Sequence, residues 1–142
     1  MTRINLLHPE QLSNKHLMAE YRELPRIFTA VRKLIAQGKT PADIDIPSHY
    51  VLGTGHVKFF YNKCIWLYER FILLASELRN RGINLDEDTY KLICDDARTG
   101  ITGEWIGSIT WRPTPEETYL NMARVCRRSK MPHVQAELDS NS

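Results

Sequence analysis

Between Thr54 and Gly82 the chain carries Phe59, Phe60, Ile65, Trp66, Leu67, Phe71, Ile72, Leu73, Leu74 and Leu78. The run shows no strand-like alternation, and its length and spacing predict one long helix from Thr54-Gly55-His56 to about Arg81. A helix apolar nearly all round in its middle must be buried by several neighbours. The chain therefore has to fold around a central helical post.

The neighbours are also legible. Leu17, Tyr21, Leu24, Phe28, Val31 and Ile35 recur at three- and four-residue steps, predicting an amphipathic helix that begins near Lys15, capped by Asn14, and ends at Gly38. Pro25 lies inside this pattern. It removes a backbone donor and crowds the carbonyl of Tyr21, so a kink, not a full break, is expected there. Thr114-Pro115-Glu116-Glu117 is a helix start, with a Thr cap, Pro at the first position and Glu at the third. That helix carries Tyr119, Leu120, Met122, Ala123 and Val125 on its apolar side, with Arg124, Arg127, Arg128 and Lys130 near its end. Residues 1–7 read as an extended, ordered arm, and His8-Pro9-Glu10 as a short helix start. Asp86 is placed to cap a short helix through Cys94, and Arg98–Gly103 read as loop. The tail Pro132–Ser142 is expected to fray. No strand pattern or repeat is present. The expected fold is all-α: a single compact domain over residues 1–142, with about three principal helices and an ordered N-terminal arm.

At 42% hydrophobic residues the chain can bury one core. Cys64, Cys94 and Cys126 are odd in number and far apart, which argues against a zinc knuckle, a redox pair or a disulfide framework and suits a reducing cytoplasm. Arg3, Asn5 and His8 interrupt any signal-like apolar segment, and no stretch approaches the roughly 20 apolar residues a membrane span needs. The net charge is only +2, but it is unevenly spread. Residues 1–33, 56–81 and 105–133 each carry +3 (6 − 3, 5 − 2 and 5 − 2), whereas residues 82–104 carry −4 (2 − 6). This separation suits one cationic face toward nucleic acid, and equally suits ordinary solvated helix surfaces.

Chemistry concentrates in the first 26 residues. Removal of Met1 would leave Thr2 with a free α-amine, whose reference pKa of about 7.7–8 leaves roughly a tenth of it uncharged at neutral pH. Such an amine can attack a sugar C1′ and form a Schiff base without a special pocket. At about 100° per residue with His16 at 0°, the apolar positions fall between about 60° and 140°. Glu20, Glu23, Arg26 and Arg22 fall at about 40°, 340°, 280° and 240°. Glu23 can act as general acid/base, although a surface glutamate paired with Arg22 or Arg26 is the commoner arrangement. Arg3, Arg22 and Arg26 suit forked phosphate contacts, and His16 can donate to a phosphate. His56 reads as a cap or packing residue. No HExxH, P-loop, GxSxG or GxGxxG is present, so nothing supports a metal or other cofactor.

Three segments carry a resemblance: Thr2-Arg3-Ile4-Asn5-Leu6, His16-Leu17-Met18-Ala19-Glu20-Tyr21-Arg22-Glu23-Leu24-Pro25-Arg26, and Leu52-Gly53-Thr54-Gly55-His56-Val57-Lys58-Phe59-Phe60-Tyr61. With Val31-Arg32-Lys33 and Arg81-Gly82, they closely resemble the phage-type pyrimidine-dimer DNA glycosylases, the UV-repair endonuclease V family, over about the first 82 residues. The resemblance implies an all-α enzyme, monomeric, cytoplasmic in a bacterial or phage-infected cell and associated with its nucleoid. Its substrate would be double-stranded DNA containing pyrimidine dimers or abasic sites. The Thr2 amine would attack C1′ of the dimer's 5′ nucleotide, and β-elimination from the imino intermediate would nick the strand. Glu23 would be the acid/base group, with Arg3, His16, Arg22 and Arg26 binding phosphates.

After Gly103-Glu104-Trp105-Ile106 the chain departs from that pattern. The family's C-terminal aromatic and basic segment has no counterpart in Pro132–Ser142, and the basic residues of the third helix are rearranged as Arg124, Arg127 and Arg128, expected on DNA. Trp105 and Trp111 are candidates for a stacking surface in its place, although core is the commoner place for each. Two alternatives stay open: an AP lyase without dimer recognition, and a non-catalytic helical DNA-binding module.

Overall fold

The computed structural model describes residues 3–129. They form α1 (Asn14–Glu23), α2 (Pro25–Ala36), α3 (Cys64–Asn80), α4 (Glu87–Gly100) and α5 (Pro115–Ser129), with 3₁₀ turns at Pro9–Gln11, Pro41–Asp43, Lys58–Phe60 and Gly103–Ile106. The described residues contain no strand, so the all-α reading is the one observed. The expected tail from Pro132 and Lys130 lie outside the described residues.

The first expected helix is divided at Leu24. Leu24 keeps helical dihedrals (φ −53°, ψ −42°), and its N–H still bonds Glu20 O at 2.8 Å. Pro25 has no N–H to continue the ladder, and Ile27 N–H tightens onto Leu24 O at 3.0 Å. The expected kink is thus a junction between two helices. The cap is Ser13, not Asn14: its hydroxyl accepts from His16 N–H at 3.3 Å. Asn14 is the first helical residue, and its amide oxygen accepts from Arg81. Gly38, at φ +76°, closes α2 as expected, with Lys39 N–H reaching back to Leu34 O at 3.1 Å.

The post starts later than its sequence suggests. Residues 54–57 form turns, and α3 begins at Cys64, because Lys63 leaves the helical region (φ −130°, ψ 36°). Its ammonium takes up Phe59 O at 2.8 Å, a carbonyl that a continuous helix would have used. Leu67, Phe71, Leu74 and Leu78 form the buried face of α3, each at most 1% exposed. The post is not covered all round, since Ile72 and Leu73 stay 37% and 46% exposed. Its most extensive contacts are with α1, the Pro9–Gln11 turn and the Gly103–Ile106 turn. Ring stacking of Tyr21 on Phe71 (4.9 Å) and of Phe71 on Tyr90 (5.6 Å) ties α1, α3 and α4 together.

Helix α4 runs six residues beyond its expected end at Cys94. The Arg98-Thr99-Gly100 stretch is helical, with Gly100 packed against Arg32: a Cβ on it would lie 2.5 Å from Cδ of Arg32 and displace that side chain. Helix α5 starts as read. Glu117 N–H bonds the Thr114 hydroxyl at 3.1 Å, and Glu117 Oε1 accepts from Thr114 N–H at 2.9 Å. Trp105 is 3% exposed and donates to Lys39 O, while Trp111 packs edge-on against Phe59 and Trp66. No helix among the described residues is long and apolar enough to cross a membrane.

Candidate active site

The N-terminal arm runs through the core. Ile4, Asn5, Leu6 and Leu7 are all buried, yet they are extended and make no helical ladder. Buried backbone groups need partners, and here side chains provide them. Ile4 N–H donates to His56 Nε2 at 2.8 Å, and Ile4 O accepts the Tyr50 hydroxyl at 2.9 Å. Leu6 and Leu7 N–H both donate to Asn121 Oδ1, at 2.6 and 3.1 Å. Leu7 O accepts from Arg70 at 2.5 Å. Arg3 is half-buried and donates to Leu52 O at 3.0 Å.

The side chain of Asn5 ties the arm to two helices, α1 and α5, and through Glu20 to a third. Its amide nitrogen donates to Glu20 Oε1 on α1 at 2.8 Å, and its amide oxygen accepts from Asn121 at 2.8 Å and from Arg124, both on α5. Glu20 in turn holds Arg70 of α3 in a forked pair, with Nε to Oε2 at 2.6 Å and Nη2 to Oε1 at 3.0 Å. Glu20 and Arg70 are 1% and 4% exposed. Glu20 therefore lies in the core, although its angle of about 40° falls outside the apolar sector of the helical wheel.

Glu23 lies one turn beyond Glu20, on the stripe that begins at His16. Both Glu23 and His16 are half-buried. Among the described residues the Glu23 carboxylate forms no ion pair, so the helical bridge to Arg22 or Arg26 is not made. Arg22 and Arg26 are exposed. Arg124 was expected among the DNA contacts, but it is 7% exposed and turned onto Asn5. The expectations for Thr2 and for the side chains of Arg127 and Arg128 lie outside the described residues.

His56 is a second post of the arm. Its Nδ1 lies 2.6 Å from Val51 O and its Nε2 accepts from Ile4 N–H, a pairing that needs a neutral ring protonated on Nδ1. Burial pushes its pKa down to about 4; the Val51 carbonyl partly opposes this, and the charges of Arg124 and Arg3 reinforce it. An unfolded histidine titrates near about 6.5, so between these two values the unfolded chain binds more protons than the folded one. Stability should therefore rise as pH is raised from about 4 to about 6.5, by an amount on the order of 3 kcal/mol. Melting temperature followed across that window checks this. His56→Gln should flatten the profile; an equally steep profile in that variant would assign the dependence to another group.

Glu117 closes the set. Burial pushes its carboxyl up, but the N–H groups of Thr114 and Tyr50 and the Thr114 hydroxyl outweigh that and leave it below the usual carboxylate range. It accepts Tyr50 N–H at 2.6 Å, fixing the tyrosine that holds Ile4.

A cavity of about 450 Å³ opens beside the arm, lined by Arg3, Asp45, Thr54, His56, Lys58 and Tyr61 among others. A second, of about 250 Å³ between α2, α3 and α4, is lined largely by apolar groups such as Phe28, Ile65 and Ile106, and by none of the expected site residues. Among the described residues no group of acidic, histidine and cysteine side chains is placed to hold a metal.

Sequence reasoning missed the arm's anchors: Asn5, Tyr50, Arg70 and Asn121. One signal was present. Arg70 sits in register with Leu67 and Leu74 on the core face of the post, where an arginine requires a buried partner.

A family model for pyrimidine dimer DNA glycosylases matches residues 1–91, which span the arm, α1, α2, α3 and the start of α4. The match takes in both carboxylates of α1, Arg70 and His56, and it covers well over half of the 142 residues. The chain belongs to the pyrimidine dimer DNA glycosylase family.

Proposed function

We propose that the protein is a DNA-repair glycosylase with AP-lyase activity on cyclobutane pyrimidine dimers, and that the α-amine of Thr2, freed by loss of Met1, is its nucleophile. The amine attacks C1′ of the damaged nucleotide, the glycosidic bond breaks, and an imino link to the sugar forms. Loss of a C2′ proton from that iminium then expels the 3′ phosphate by β-elimination. Glu23 serves as the acid/base group and offsets the cationic iminium.

The observation that carries this reading is the Asn5–Glu20 hydrogen bond of 2.8 Å. It pins the arm to α1 one turn before Glu23, and the carboxylate of Glu23 is not committed to a neighbouring arginine. Family membership supports the dimer as substrate. Exposed Arg22 and Arg26 suit phosphate contacts, as do half-buried Arg3 and His16. The cavity beside Arg3 is large enough for a nucleotide-sized group turned out of the duplex.

Borohydride trapping on UV-irradiated and on abasic duplexes tests the reading. A covalent adduct on both is expected. An adduct on abasic DNA alone would reduce the protein to a lyase, and none on either would leave a helical DNA-binding module. Arg26→Ala should weaken duplex binding and lower the slope of log K against log salt by about one. An unchanged slope in a binding titration would remove Arg26 from the phosphate contacts.

A further inference from the structure

We propose that Asn121 is a positioning residue for the reaction, seating the N-terminal arm from α5; this rests on the amine reading above. Asn121 is fully buried, at 0% exposed, and its amide group bonds the arm on both sides. Its oxygen accepts the N–H groups of Leu6 and Leu7, and its nitrogen donates to the Asn5 side chain. Core packing alone gives no reason for an amide there, since Val125, one turn further along α5, fills an equally buried place with an apolar side chain.

The arm has no sheet partner and no helical ladder of its own. Without Asn121, two buried N–H groups would be left unmet. Asn5 would also lose one of the contacts that aim its amide at Glu20. From Leu6 to residue 2 is four residues, at most about 14 Å of extended chain. The anchors at Asn121, at His56 with Tyr50, and at Leu52 fall along that length, so loosening the innermost one slackens the root of the arm and leaves the reacting end held only by the outer two. Asn121 lies beyond the matched segment 1–91, in the third of the chain that departs from the family pattern. That third is therefore part of the catalytic apparatus.

The test uses the full chain with Asn121→Leu and Asn121→Asp. Adduct formation under borohydride is timed on saturating abasic duplex, and affinity is measured on a duplex bearing a tetrahydrofuran abasic analogue. Asn121→Leu should form adduct about 10- to 100-fold more slowly, with affinity changed less than about threefold. Asn121→Asp keeps the acceptor for Leu6 and Leu7 but loses the donor to Asn5, and should recover part of the rate. A folded Asn121→Leu protein that traps DNA at the wild-type rate would overturn the proposal. Amide hydrogen exchange separates it from failure of the amine reading. If the wild-type chain forms no adduct, the amine reading fails, and Asn121 is judged on Leu6 and Leu7, whose amides should exchange as slowly as those of α3. Fast exchange there in the wild-type protein would sink the positioning role, whether or not the leucine variant folds.

Discussion

Arg70→Met should lower the unfolding free energy by about 3–5 kcal/mol, because it strands the buried Glu20 carboxylate without its forked partner. Arg70 also holds Leu7 O, so the arm loses a backbone contact in the same variant. The pair's own net worth is smaller than this loss. Removing both charges, as in a Glu20→Leu, Arg70→Met double variant, should recover part of the stability, since apolar replacements of a buried ion pair are often close to neutral. Urea unfolding with a fitted slope checks both statements. A loss below about 1 kcal/mol in Arg70→Met would mean that water reaches Glu20.

Glu23→Gln should lower strand cleavage by about 10²- to 10⁴-fold while leaving duplex affinity nearly unchanged. The amide keeps the size of the carboxylate but can neither accept the C2′ proton nor balance an iminium. Because Glu23 makes no ion pair among the described residues, the substitution breaks no bridge, and the melting temperature should hold. Glu20→Gln, only three residues earlier, should behave in the opposite way, losing stability through Arg70. Nicking assays and melts on the two variants side by side distinguish a reacting carboxylate from a structural one. Full nicking by Glu23→Gln would remove Glu23 from the chemistry.

Signals confined to one turn of chain were legible in the sequence. The Thr114–Glu117 capping box, the kink at Pro25 and the closure at Gly38 all follow from residues within a few positions of each other. Contacts between distant residues were not. Glu20 sits at about 40° on the helical wheel, at the edge of the apolar sector, and its burial is decided by Arg70, 50 residues away. Arg124 looks like a helix-end cation on DNA until Asn5, 119 residues earlier, is placed beside it. Gly100 read as loop because glycine usually breaks helices, whereas here it is helical and packed against Arg32. The candidate site followed the same division. Arg22, Glu23 and Arg26 could be picked out as a polar face, and the resemblance assigned them roles. The buried amides and charges that hold the arm against that face were invisible without the fold.

The central claim is that the nucleophile is an α-amine at the end of a clamped arm, and peptide mapping of the borohydride-reduced protein–DNA adduct tests it most directly. One other amine is a real competitor. Lys63 lies 4.0 Å from the Phe59 ring, and burial pushes its ammonium below the ordinary lysine value, which raises its nucleophilic fraction. The reduced sugar remnant should be found on the α-nitrogen of Thr2, in a mature N-terminal peptide lacking Met1. A remnant on Lys63, or on any other lysine side chain, would contradict the account.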